Sequence, residues 1–410
     1  MQHPPRGGSS YDDFEQPLRR IKMKRTLAAV AVLSAFAGEI CASEVTLYGL
    51  IDYGMVYQHA DSDLTGSDAE NSFVMKSGVA SASRFGIKGT ETLNSGLKVG
   101  FILENGFNSD DGALSQTDRI FGREAMVYVE GNAGKLVFGR VGQLASGNGS
   151  MAITGKINPF GTTFGEYAAN IKNFATGYDR LDNAVTYVSP AFSGLRIHAQ
   201  YSFGKDSRAY GDGVEGKSTV DRMYGLGLTY KTGPLDAVIV VDSNNYSTLS
   251  YGQDVDDSIA VTFGGSYDFG FMKPYFGAQY FKDAMLDTID GYDYDGIAGI
   301  TSSGEGFGVT LGTDVPLWGG TAKVSAGYLK ADVDSWNGEG VNADVSSANI
   351  EFSRWAVSTG YVYNLSKRTN VYGVLSYMQD SISADGHDAG TWANRDPNAV
   401  EFALGMRHSF

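Results

Sequence analysis

The feature that most constrains this chain is a strict alternation of large apolar with small or polar residues. In 259–269, Ile259, Val261, Phe263, Tyr267 and Phe269 share one parity, and Ala260, Thr262, Gly264, Ser266 and Asp268 share the other. In 195–203, Leu195, Ile197, Ala199, Tyr201 and Phe203 alternate with Arg196, His198, Gln200 and Ser202. In 307–315, Phe307, Val309, Leu311 and Val315 oppose Gly308, Thr310, Gly312 and Asp314. At the C-terminus, Val400, Phe402, Leu404, Met406 and Phe410 oppose Glu401, Ala403, Gly405, Arg407 and Ser409. A period of two is that of an extended strand with unlike faces. Both a sandwich and a barrel alternate in this way, so the connections must separate them.

Sixteen strands are predicted: 45–57, 82–91, 97–107, 121–131, 135–143, 181–189, 195–204, 222–231, 235–243, 258–268, 273–282, 306–315, 321–331, 353–363, 369–379 and 398–410. Short connections such as Leu93-Asn94-Ser95-Gly96, Gly131-Asn132-Ala133-Gly134 and Thr232-Gly233-Pro234 carry turn chemistry. Eight longer Asp-, Gly- and Ser-rich loops lie between them. Short turns on one side and long loops on the other are the pattern of an outer-membrane barrel. Aromatic residues beside the short turns (Phe192, Phe269, Phe271, Trp318, Tyr361, Tyr363, Phe410) fit an interfacial girdle. The predicted fold is all-β: a 16-stranded antiparallel transmembrane β-barrel. Composition agrees. Gly is 54 of 410 residues, with 24 Tyr and 22 Phe, and charged residues are 19%, which argues against disorder. The mean hydropathy of −0.18 averages two opposed faces and is no sign of solubility. After the N-terminal region no run of about 18 apolar residues occurs, so a helical membrane protein is excluded.

The N-terminus reads as an address. Residues 1–22 are polar and aperiodic, and are expected to be a start assigned too early or an N-terminal extension. Residues 23–43 have Lys24 and Arg25, an apolar stretch Leu27 to Ala37, and small residues leading to Ala42 and Ser43, as in a secretory signal peptide cleaved after either. The barrel is expected over 44–410. The single Cys, Cys41, falls in the removed part, and Glu39 and Ile40 before it do not make a lipoprotein box. Residues 1–43 hold six basic and four acidic residues, so removing them deepens the net charge from −15 to −17. Phosphate binding needs clustered Lys and Arg, so nucleic acid is not an expected partner.

Several ordered motifs resemble the Gram-negative general porins of the β-proteobacterial, neisserial type: Val45-Thr46-Leu47-Tyr48-Gly49; Ser83-Arg84-Phe85-Gly86-Ile87-Lys88-Gly89-Thr90-Glu91; Leu103-Glu104; Phe121-Gly122-Arg123-Glu124-Ala125; and Leu136-Val137-Phe138-Gly139-Arg140. Asp179 to Tyr187 and the terminal Gly405 to Phe410 are similar too, and the resemblance runs from about 44 to 410. It implies a homotrimeric, water-filled barrel for passive diffusion of ions and small hydrophilic solutes, with partners in outer-membrane lipid, lipopolysaccharide and the barrel-assembly machinery that reads Phe410. It also implies an inward-folded third loop, here 144–180, holding Lys156, Pro159, Phe160, Glu166 and Lys172.

Parity puts Arg84, Lys88 and Arg180 on the lumen face. Arg123 matches a family constriction arginine by motif, yet it shares parity with Ala125, Val127 and Val129, so it needs a bulge or a strand-end position. Arg140 shares parity with Leu136 and Phe138. The expected constriction set is Arg84, Lys88, Arg123, Arg180, Lys156 and Arg140, facing Glu166. Acidic residues in the loops (Asp61, Asp63, Asp68 and Glu70; Asp254, Asp256 and Asp257; Asp287, Asp290, Asp293 and Asp295; Asp332, Asp334 and Glu339) read as a solvated rim, or as cation bridges to lipopolysaccharide.

Enzyme readings fare poorly. Gly211 to Ser218 fits a phosphate-loop pattern, but runs into a strand and carries Asp212 and Glu215. No serine sits beside His59, His198, His387 or His408 in a nucleophile motif. Asp293-Tyr294-Asp295-Gly296 fails as a calcium loop, with Gly291 and Ser302 at the end positions. No cofactor, metal or catalytic residue is expected. A channel specific for a sugar or organic acid is the alternative, and it would line the lumen with aromatics.

Overall fold

The computed structural model describes residues 44–63, 68–116, 118–170, 173–175, 180–210, 213–247, 256–285, 303–333, 349–385 and 394–410. The predicted extension and signal peptide (1–43), Lys172, Asp254, His387 and the acidic loop residues 287–295 lie outside the described residues, as do Asp334, Glu339, Gly211 and Asp212.

The strands are β1 (Glu44–Asp61), β2 (Glu70–Ser77), β3 (Arg84–Thr92), β4 (Lys98–Gly106), β5 (Glu124–Gly131), β6 (Gly134–Gly142), β7 (Arg180–Val188), β8 (Leu195–Ser202) and β9 (Arg222–Thr232). They continue with β10 (Leu235–Asn245), β11 (Ile259–Tyr267), β12 (Lys273–Met285), β13 (Ser303–Leu317), β14 (Gly320–Val333), β15 (Asn349–Asn364), β16 (Thr369–Asp385) and β17 (Asn398–Ser409). Each strand from β3 to β17 pairs antiparallel with the next. The first strand closes the ring. On one edge it pairs with β17 from Leu50↔Ser409 to Asp61↔Asn398. On the other, residues 44–50 pair with β3 and 53–60 with β2. Thus β2 and β3 are one stave, broken at 78–83, and the barrel has sixteen. Mutual backbone bonds between Gly49 and Phe410, at 3.2 and 3.0 Å, seal the seam at the chain's end. Closure leaves no lipid-facing strand edge unpaired along this seam, which a bilayer demands.

All sixteen expected strands are found, several longer at their ends, such as β16 running to Asp385, and one gains a separate segment. The predicted stave 82–91 starts earlier, with β2 ahead of the break. Its run Phe73-Val74-Met75 does not alternate, which hid it.

The parity expected from sequence sorts outside from inside. On β1, Leu47, Ile51 and Met55 are exposed while Leu50, Asp52 and Val56 are buried. Large apolar groups face out and polar groups face in, the inverse of a water-soluble sheet. The aromatics at the short turns are exposed apart from the half-buried Tyr361, with Phe271 at 70% and Trp318 at 84%.

Candidate functional site

In its described residues, 143–170 and 173–175, the connection between β6 and β7 is not an outer loop. Its described part is bonded to the inner wall on many sides. Leu144 N donates to Gln200 Oε1 on β8 (2.9 Å), and Gln143 Nε2 to Asp242 Oδ2 on β10 (2.9 Å). Asn158 Nδ2 donates to Ser325 Oγ on β14 (2.9 Å), while Lys323 Nζ donates to Pro159 O (2.9 Å). Phe164 N donates to Val79 O in the broken stave (2.8 Å). Ala169 N reaches Ser358 Oγ on β15 and Ala175 N reaches Gln279 Oε1 on β12, both at 2.8 Å. Strands on all sides of the ring hold it, so the loop crosses the lumen. Small wall residues make room. A Cβ on Gly277 would stand 3.0 Å from Ile157 Cδ1, and one on Gly312 would stand 2.6 Å from the Pro159 ring. Tyr167 is buried on the loop's far side against Ala356, Met378 and Ala399. Burial, and then the Glu401 carboxylate, push its phenol up to about 12.

Beside this crossing lies a cavity of about 930 Å³. Six cationic side chains line it: Arg84, Lys88, Arg123, Arg180, Lys156 and Lys273. Two carboxylates line it as well, Glu104 and Glu124, and both are engaged in the wall. Glu104 accepts from Arg123 Nε (2.6 Å) and from the Tyr48 hydroxyl (3.0 Å). Glu124 Oε1 accepts from Ser150 N (2.6 Å) and Ser150 Oγ (2.8 Å), fixing the loop. Among the described residues, Arg84, Lys88, Arg180 and Lys156 have no carboxylate within 4.0 Å. Lys88 stands over the Tyr48 ring at 5.3 Å and Lys273 over the Tyr275 ring at 5.1 Å.

Five residues singled out from sequence thus line one cavity. Arg123 does so from a strand-end position, one residue ahead of β5, where the parity of Ala125, Val127 and Val129 no longer binds it. Arg140 does not line it. The β6–β7 register shifts between Gly139 and Val141, Gly139 has φ +127°, and the Arg140 guanidinium turns to Asp182 Oδ1 at 2.5 Å. Glu166 is not on the cavity either. It pairs with Lys76, and Gln58 Nε2 bridges it (3.1 Å) to Glu401 (2.8 Å). The lining carboxylates are Glu104 and Glu124 instead. Lys273 was missed, although it shares inward parity with Tyr275, Gly277 and Gln279. It lies on the far wall, so only the three-dimensional closure joins it to Arg84.

The Gram-negative porin family profile matches residues 28–383. An outer membrane porin protein of Bordetella pertussis is 33% identical over 416 residues, covering 95% of this chain and all of that protein. Outer membrane porin protein 32 of Delftia acidovorans is 28% identical over 405 residues, again covering 95% of this chain and all of that protein. Among solved structures, an anion-selective porin from Comamonas acidovorans aligns with a TM-score of 0.63 at 25% identity, covering 90% of this chain and all of that one. The chain therefore belongs to the Gram-negative porin family: it is a multi-pass β-barrel of the bacterial outer membrane, forming a water-filled channel for passive diffusion of ions and small hydrophilic solutes.

Proposed function

We propose that this porin prefers anions, and that Arg84, Lys88, Arg123, Arg180, Lys156 and Lys273 form its filter. The observation that carries the reading is the imbalance of six cations against two carboxylates already bonded into the wall. An uncompensated charge about 7 Å from a passing ion contributes roughly 0.6–2.4 kcal/mol, for effective dielectrics between those of water and a protein surface. Salt at about 0.15 M screens beyond about 8 Å, so the filter acts locally and the acidic outer loops weigh less. The description of the Comamonas acidovorans relative as anion-selective agrees. The chain acts as a passive channel with no catalytic step. Reversal potentials in a KCl gradient across a planar bilayer test this. Arg84→Ala combined with Arg180→Ala shifts selectivity toward cations; an unchanged reversal potential overturns the filter assignment.

The working unit we propose is a homotrimer. β2 is registered on β1, and its other edge has no ladder partner among the described residues, with Phe73 and Met75 exposed outward. An open strand edge is not stable against hydrocarbon, so a neighbouring protomer is the fitting cover. Lipid and lipopolysaccharide would surround the remaining outer face. The exposed terminal Phe410, at the rim of the short turns, is available to the assembly machinery.

A further inference from the structure

We infer that Asp182 is the positioning residue of the basic filter, a buried carboxylate that holds the arginines in place without touching the permeant. The inference rests on the anion-filter reading above. Asp182 lies near the start of β7, two residues beyond Arg180, and it is buried with its side chain 5% exposed. It accepts from three separate elements. Arg119, on the β4–β5 connection, donates Nη1 to Oδ1 (3.3 Å) and Nη2 to Oδ2 (2.8 Å). Arg140, on the β6 bulge, donates Nη1 to Oδ1 at 2.5 Å. Ser207, on the β8–β9 connection, donates its backbone N (3.1 Å) and its hydroxyl (2.9 Å) to Oδ2.

These bonds converge on Arg123. Arg140 Nε also donates to Gly122 O at 2.8 Å. Segment 119–122 is therefore clamped at one end by Arg119 on Asp182, and at the other by Arg140 on Gly122. Arg123 follows directly, its N bonded to Glu104 O at 3.2 Å and its Nε to Glu104. Gln116, ahead of this segment, lines the cavity as well. Asp206 shares Arg119 with Asp182, at 2.6 Å, but from an exposed position. Four arginines crowd one patch of wall, namely Arg119, Arg123, Arg140 and Arg180. Like charges gathered on one patch repel unless anions sit between them. Asp182 is the buried anion that neutralises two of them, Arg119 and Arg140. It leaves Arg123 and Arg180 facing the cavity.

The two roles open to a carboxylate here predict opposite signs. If Asp182 acted only as a charge, Asp182→Asn would remove an anion near the filter and strengthen anion preference. As a clamp, its neutralisation releases Arg119 and Arg140, lets Arg123 and Arg180 spread, and weakens that preference. The experiment uses the full-length mature chain refolded in detergent, with heat-modifiable gel mobility to confirm a folded barrel. The chloride-to-potassium permeability ratio is then read from reversal potentials in planar bilayers. D182N is expected to lower the ratio at least about twofold, with noisier open-channel current, because the effective local charge falls as the cluster disperses. A raised or unchanged ratio in D182N overturns the clamp. If D182N does not fold, D182E carries the same test: it keeps the charge and lengthens the side chain by one methylene. A lowered ratio in D182E supports the clamp, and a wild-type ratio overturns it. Arg84→Ala measured alongside separates the two readings. If it shifts selectivity while the Asp182 variants do not, only the clamp fails; if it does not shift selectivity, the filter itself fails.

Discussion

Replacing Gly312 by alanine probes whether the crossing loop is seated on the wall by close contact. Gly312 lies on β13, in register with Tyr275 on β12 and Ser325 on β14, and it faces the lumen. A methyl group there would stand 2.6 Å from Pro159 Cδ and Cγ and 2.8 Å from Val324 O. Ordinary carbon contacts begin near 3.5 Å, so the proline ring must retreat by about 1 Å. Two bonds at this spot depend on its place: Lys323 Nζ to Pro159 O and Asn158 Nδ2 to Ser325 Oγ, both 2.9 Å. Overpacking costs about 1–3 kcal/mol, and losing a bond from a charged donor a further ~1.5–3 kcal/mol. The cost falls chiefly on the seat of the loop, with a smaller part on the adjoining β14 backbone at Val324 O. Retreat from the wall is movement into the lumen, so single-channel conductance falls and sublevels appear, while the folded barrel's gel mobility is unchanged. Gly225→Ala is the control. It faces the same loop, but its new methyl would meet Leu144 Cδ1 at an ordinary 3.4 Å. If the two variants conduct alike, the loop is not held by contact at Gly312.

Three further outcomes follow from the same contacts. Glu166→Gln moves the KCl reversal potential much less than Arg84→Ala, because Glu166 pairs with Lys76 away from the cationic cavity; equal shifts would show that Glu166 faces the permeant. Tyr372→Phe removes the 2.5 Å bond from the Tyr372 hydroxyl to the buried Asp52 Oδ1 and costs about 1–3 kcal/mol in urea unfolding; a wild-type midpoint would show the bond to be idle. The Tyr167 phenol, raised to about 12 by burial, stabilises the loop fully below its unfolded value near 10, and that contribution is lost as pH rises from about 10 to about 12. Conductance noise should grow over that alkaline window in the parent and not in Tyr167→Phe; identical pH profiles would remove Tyr167 from the loop's seat.

Much of this site was legible as parity. Arg84, Lys88 and Arg180 line the cavity as alternation places them, because a regular strand allows each side chain only two directions. Parity gave misleading directions where the strand stops being regular. Arg123 stands ahead of β5, and Arg140 sits at a register shift whose turn depends on Gly139 at φ +127°. β2 escaped because Phe73-Val74-Met75 has no alternation to read. Glu166 drew attention as the acidic residue of the long loop, but a loop has no periodicity that says which wall it meets. Its neighbours, Lys76 and Glu401, are 90 and 235 residues away in sequence.

By itself, then, the sequence determined which residues of the regular strands face lipid and which face the interior, how many staves the wall has, and that a long loop lies between the fifth and sixth predicted strands. These are local properties, set by side-chain chemistry at a spacing of two and by turn residues. Only the tertiary structure decided which charges share a space. Closing the ring brings Lys273 on β12 to the same cavity as Arg84 on β3, and the crossing loop adds Lys156 to it. Electrostatic preference depends on distances through space, and in a barrel those are fixed by closure and by where the loop is seated.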